Sequence, residues 1–136
     1  RETLSWIANY SGIYISYSLS STSQAMKVEP YLIAPAEKGN YVEVIHNNVS
    51  EQLIMGLPDE GTNHLYLAFN EHKTPQLALF HISLKLPMYD RPPFLRGVYT
   101  CFDYNYTIAR RILFVKVSES VARDEFMKLK GQLKTY

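Results

Sequence analysis

The chain is poor in several residues whose absence limits what it can be. It has one cysteine, Cys101, and one tryptophan, Trp6, in 136 residues. A single thiol excludes an internal disulfide framework and fits a reducing compartment. Charge of one sign is also lacking: 14 Lys+Arg stand against 13 Asp+Glu, a net charge of +1. A general duplex-binding surface would need a clear basic excess to release counterions. No run reaches the ~18 apolar residues of a membrane span. No signal peptide is visible. The 6 glycines never fall in a G-x-G spacing, so no glycine loop cradles a phosphate.

What is present is an ordinary globular composition, 46% hydrophobic and 20% charged. Tyrosine stands out, with 11 copies against 6 of phenylalanine. It joins apolar area to a hydroxyl, so it suits strands, cavities and interfaces. The length predicts one domain over 1–136 with enough core to fold without staples. The chain opens on Arg1, and the expectation is a piece excised from a longer protein.

Strand signals recur at nearly even spacing. The alternation predicts strands over Tyr10–Leu19, Met26–Ala34, Tyr41–His46, Gln52–Leu57, His64–Asn70, Gln76–Leu86, Leu95–Phe102 and Ile108–Val117. Pro30 argues for an edge or bulge within the second. Pro58-Asp59-Glu60-Gly61 is the strongest turn signal. After Ser120 the period changes. A helix is expected over Val121–Lys130, capped by Ser120, acidic at its start through Asp124 and Glu125, and ended by Gly131. The first eight residues, with Trp6 and Ile7, are expected to form a short helix that plugs or caps the sheet.

Strands never alternate with helices, so a parallel α/β sheet is excluded. The expected class is all-β with a C-terminal helix. Eight antiparallel strands joined by short turns close most simply into an up-and-down β-barrel, which leaves no edges. A two-sheet sandwich or jelly roll is the alternative.

Catalytic chemistry finds little support. His46, His64, His72 and His81 show no metal-ligand spacing on one strand face. Cys101 is expected to be buried and inert, in the phase of Leu95, Gly97 and Tyr99. The serines between Ser16 and Ser23 have no nucleophile elbow. Asp59 and Glu60 fit turn chemistry. No enzymatic activity, metal or cofactor is expected.

Two features rise above this background. One is the arginine pair Arg110-Arg111 of the last strand. Neighbours in a strand face opposite ways. Arg111 shares a face with Leu113, Val115 and Val117, whereas Arg110 shares one with Ile112 and Lys116. Taking the face without Lys116 as the interior puts Arg111 in the barrel mouth, either in a structural ion pair or as a phosphate clamp. The other feature is the tyrosine set Tyr14, Tyr99, Tyr104 and Tyr106, either as packing or as a stacking platform for planar rings.

Two stretches carry a resemblance. Tyr10-Ser11-Gly12-Ile13-Tyr14 opens the first strand in the manner of the Gly-x-aromatic start of lipocalin-like barrels. Leu95-Arg96-Gly97-Val98-Tyr99, with Ile108-Ala109-Arg110-Arg111-Ile112-Leu113-Phe114-Val115, looks like the end of bacterial barrel sensor domains. In layout the chain resembles the soluble eight-stranded barrel of antiphage (CBASS-type) effectors, which sense cyclic oligonucleotides behind two transmembrane helices. It also resembles barrels appended to bacterial regulators. The lipocalin likeness implies an arginine over the aromatic: Arg110 or Arg111 above Tyr14.

The expected function is therefore a sensor of a cyclic di- or oligonucleotide second messenger, signalling to a missing N-terminal membrane effector in antiphage defence. The expected ligand-binding residues are Tyr14, Ser16, His46, Tyr99 and Arg111. Their shared phase would gather aromatic faces, a hydroxyl, an imidazole and a guanidinium in one lumen. The expected partners are this nucleotide, a membrane tether lying outside the stretch and a second copy of the chain, with no DNA or RNA duplex. The expected location is a cytoplasmic domain held at the inner membrane. A ligand-sensing or interaction barrel of a transcription regulator, or a lipocalin-like carrier of an apolar ligand, is the alternative.

Overall fold

Alternating strand residues shape a curled antiparallel sheet in the computed structural model, followed by one C-terminal helix. The structure describes residues 10–19, 25–35, 42–46, 53–59, 64–70, 79–85, 94–102 and 107–133. Positions 42–46, 53–59, 67–70, 79–81 and 101–102 are described in backbone only. The N-terminal cap expected over the first eight residues lies outside the described residues, as does His72.

The strands are β1 Gly12–Leu19, β2 Met26–Pro35, β3 Val42–His46, β4 Leu53–Asp59, β5 His64–Asn70, β6 Leu79–Lys85, β7 Phe94–Phe102 and β8 Thr107–Ser118. The helix, α1, spans Arg123–Leu133. Each strand pairs antiparallel with the next in sequence, and β1 also pairs with β8. The result is a barrel-like sheet whose inner face carries the main core. Among the described residues no helix is long and apolar enough to cross a membrane.

Tyr14, Tyr31, Ile33, Leu65, Leu84, Leu95 and Phe114 are buried. Tyr31 packs on Phe114 with centroids 4.6 Å apart. β1 is unusual because Ile13, Tyr14, Ile15 and Ser16 are all buried in succession. Its outer face is covered: Ile13, Leu32 and Phe126 form a cluster, with Leu129 packed against it. Helix α1 thus roofs β1 and β2, and burying Phe126 fully contributes roughly 1.5–3 kcal/mol.

Two close approaches need glycine. Gly12 has φ +145°, and a Cβ there would run into the Ser118 carbonyl oxygen. A Cβ at Gly97 would strike the Ser83 carbonyl of β6. The β6–β7 register runs on through Gly97 without a shift. Pro30 likewise pairs with Ile15 in an unbroken β1–β2 register. Among the described residues the β2–β3 ladder covers Tyr31–Pro35, so Pro30 lies just beyond its described end, where a missing N–H is tolerated. The register shift falls instead between Ile13 and Tyr14, against β8.

Several boundaries differ from the sequence reading, among them the start of α1, at Arg123 rather than Val121, and of β1, at Gly12 rather than Tyr10. β4 runs on through Pro58 and Asp59, which pair with Leu65 and His64, so the first two residues of the expected turn belong to the strand. Gly131 does not end α1, which continues to Leu133; the glycine has open space around it. Ser120 is not the residue that caps the helix. The Phe126 N–H donates to the Ala122 carbonyl at 3.2 Å, which puts Ala122 at the cap position. The Ser120 hydroxyl instead accepts from the Ala122 N–H at 3.0 Å, and Ser118 Oγ accepts from the Ser120 N–H at 3.1 Å. These serines fold the lead-in turn, and Ser118 Oγ reaches Glu125 of the first helical turn at 3.3 Å.

Candidate functional site

The two ends of the sheet differ, and the inward side chains of β1, β2, β7 and β8 show how. At the end roofed by α1, Tyr14 is fully buried, and its hydroxyl donates to the Tyr10 carbonyl at 2.5 Å. Its ring lies 6.0 Å from that of Phe114. The Lys116 ammonium sits over the same ring, 5.6 Å from its centroid, and pairs with Glu119 at 3.1 Å. Burial foremost, then the negative charge of Glu119 and the neighbouring Tyr10, hold the Tyr14 hydroxyl well above the usual tyrosine range. Tyr14, Lys116 and Glu119 are thus tied together as a structural closure, while the buried hydroxyl of Ser11 beside them has no partner among the described residues.

This arrangement corrects the phase expected for β8. Lys116 is inward, with only 7% of its side chain exposed. Ile112 and Phe114 are buried on the same face, Arg110 is half-buried, and Arg111 is exposed. Arg111 therefore does not point into the lumen. The expectation failed because it placed Lys116 outside. A lysine can lay its stem along apolar surface and present its ammonium to an aromatic face, so it marks an exterior poorly. For the same reason neither Arg110 nor Arg111 packs over the Gly-x-aromatic tyrosine; Lys116 takes that place.

The opposite end is polar. Arg110 stands directly across from Tyr99, two positions before Ile112. Tyr99 is buried, and its hydroxyl donates to the Leu19 carbonyl at 2.6 Å. Ser18 is buried and pairs in register with Lys27 of β2. Lys27 and Glu29 form an ion pair at 3.5 Å. Ser18, Lys27, Glu29, Tyr31, Tyr99 and Ile112 surround a cavity of about 10 Å³, with Ile82 completing it. That is room for about one water molecule. Arg110 Nε is buried and has no hydrogen-bond partner among the described residues. With one ion pair and one further guanidinium, the named charges of this mouth sum to positive. Such a fork of donors suits a carboxylate or phosphate.

The five sequence-predicted residues do not form one cluster. Tyr14 belongs to the roofed end. Ser16 is buried midway, opposite Phe114. Tyr99 belongs to the polar mouth. Tyr14 and Ser18 are four residues apart on β1, roughly 13 Å along the strand. His46 pairs in register with Tyr31, and its side chain lies outside the described ones. Cys101 pairs with Ile108 and Phe80, and its side chain is likewise outside them. Leu95 and Tyr99 do face inward and Arg96 outward, as the phase of β7 predicts.

Sequence reasoning misses Lys27 and Glu29, and it places Arg111 rather than Arg110 in the mouth. Their signal was the alternation itself: Lys27 and Glu29 share the phase of Tyr31, and Arg110 that of Ile112. Comparison with family models, curated proteins and solved structures finds no match to this chain.

Proposed function

We propose that the domain is a closed eight-stranded, lipocalin-like barrel that senses a cyclic di- or oligonucleotide across its polar mouth. In this reading it is the sensor part of an antiphage effector, with membrane anchor and output outside this stretch. The observation that carries the proposal is Arg110: a half-buried guanidinium, directly opposite Tyr99, whose Nε lacks a partner among the described residues. An unpaired buried donor is costly, and an arriving phosphate oxygen removes that cost. Lys27, paired with Glu29, adds a second cation to the same mouth. The aromatic ring at this mouth is that of Tyr99; Tyr104 and Tyr106 lie outside the described residues.

In this reading the ligand lies across the mouth, since the cavity there is small and Tyr14, Tyr31 and Phe114 occupy the interior between β1, β2 and β8. The same filling weakens the alternative of an apolar carrier, which needs an empty hydrophobic lumen. The test is a thermal-shift screen of cyclic di- and oligonucleotides on the parent and on Arg110→Met. A ligand at 100 times its dissociation constant stabilises by about 2.7 kcal/mol. Arg110→Met should lose most of that shift, whereas Arg111→Ala should keep it. No shift with any cyclic nucleotide removes the sensor reading. An equal shift in Arg110→Met removes the clamp.

A further inference from the structure

The convex outer face of β7, β8, β1 and β2 carries a second chemistry that the mouth does not use. One row runs across all four strands through the register of the sheet: Arg96 opposite Leu113, Leu113 opposite Tyr17, and Tyr17 opposite Val28. Beside it, Val98 stands opposite Arg111 and Phe94 opposite Val115. Tyr17, Val28, Phe94 and Val98 are exposed, as are Arg96 and Arg111. The Arg96 guanidinium lies over the Phe94 ring, 4.8 Å from its centroid, so cation and aromatic share the surface. None of the described outward residues of these four strands is Asp or Glu. Protruding apolar side chains interleaved with arginines, without an acid among them, complement a surface that is negative outside and apolar just beneath.

We propose that this face adsorbs to an anionic lipid surface, with Arg96 and Arg111 on the headgroups and Tyr17, Val28, Phe94 and Val98 in the interface. Charge complementarity and curvature carry the choice of occupant. The outer face of a curled sheet is convex, and a deformable lipid surface meets it without a matching groove. A single-stranded nucleic acid would use the arginines and leave Val28 and Val98 unmatched. Amphipathic side chains of this kind sit at the boundary between headgroups and acyl chains. Each arginine near such a surface contributes about 1 kcal/mol, or roughly fivefold in binding.

The test is co-sedimentation of the chain with vesicles of phosphatidylglycerol and phosphatidylcholine in equal parts, against phosphatidylcholine alone. The chain should pellet with the anionic vesicles, weakly or not at all with the neutral ones, and less as salt rises. Arg96→Gln with Arg111→Gln should bind about thirtyfold more weakly, the product of two such steps. Val28→Ser with Val98→Ser should also weaken binding while keeping its salt dependence. Both double variants change exposed side chains, and melting curves matching the parent identify them as folded. Failure to pellet with anionic vesicles overturns the proposal, as does equal binding by the arginine variant. Two further measurements name the other occupants. Concentration-dependent mass in sedimentation velocity, lost in the arginine variant, would assign the face to a second copy. Retention of a single-stranded oligothymidine, lost in that variant, would assign it to nucleic acid.

Discussion

The two ends of the barrel-like sheet are made from the same strands and put to opposite uses. At the roofed end, Tyr14, Lys116 and Glu119 form a chain in which each polar group meets another, under a helix that buries Phe126. At the polar mouth, Tyr99 is satisfied by Leu19, yet Arg110, which stands opposite Tyr99, has a buried Nε without a partner among the described residues. The difference teaches where to look for binding. Satisfied buried groups rigidify a structure, and unsatisfied ones point to what is missing. Stability should therefore be concentrated at the roofed end, and ligand response at the mouth.

The strongest way to break this comparison is Phe126→Ala. It opens the roof, and it should cost about 3–5 kcal/mol in urea unfolding. A loss below about 1 kcal/mol would mean that α1 is not a structural closure. Gly12→Ala comes next. It puts a side chain at positive φ and against the Ser118 carbonyl, and should cost about 1–3 kcal/mol by the same assay. An unchanged midpoint would show that this crossing is loose.

Tyr14→Phe sharpens the picture with a smaller effect. It removes the hydroxyl that donates to Tyr10, at about 0.5–1.5 kcal/mol. It also tests the titration. The unfolded tyrosine loses its proton near the ordinary 10.0, while the folded Tyr14 holds its proton to higher pH. The folded chain then binds more protons, so this contribution is fully present below that pH and is lost as pH rises toward the folded value. Stability of the parent should fall more steeply in the alkaline range than that of Tyr14→Phe. Parallel curves would place the Tyr14 hydroxyl in solvent.

At the mouth the expected stability effects are smallest. Arg110→Met should stay within about 1 kcal/mol of the parent without ligand, because it replaces a charge that lacks its full set of partners by an apolar chain. A large destabilisation would show that Arg110 is part of the structural closure and reverse the contrast between the ends. Arg111→Ala, on the outer face, should leave the melting point where it is; calorimetry checks it.

Much of the fold was legible because strand alternation is a local property. The runs around Tyr14, Leu65, Tyr99 and Phe114 alternate or end on turn residues, and the strands lie within a few residues of where the alternation predicts them. Less legible was which face of a strand points inward. In β8 both phases are apolar and both hold a cation: Ile112 and Phe114 with Arg110 and Lys116, against Leu113 and Val115 with Arg111. Alternation separates the two sets without ranking them. In β1 the pattern is masked further, because α1 buries the outer residue Ile13, and Ile15 on the same face is buried as well. Helix limits were blurred for a similar reason. Gly131 is a stop signal by propensity, yet α1 continues because packing on β1 and β2 outweighs a propensity cost of about 1 kcal/mol.

The sequence by itself determined the antiparallel strand class and the C-terminal helix. These follow from short-range sterics, side-chain period and turn chemistry, which act within a few residues. Only the tertiary structure decided that Lys116, and not an arginine, covers Tyr14, that Arg110 faces in and Arg111 out, and that Tyr14 and Tyr99 serve different ends. Those outcomes depend on pairings between residues as far apart in the chain as Leu19 and Tyr99. Register across such distances is set by the joint packing of all neighbouring strands, and no local pattern encodes it.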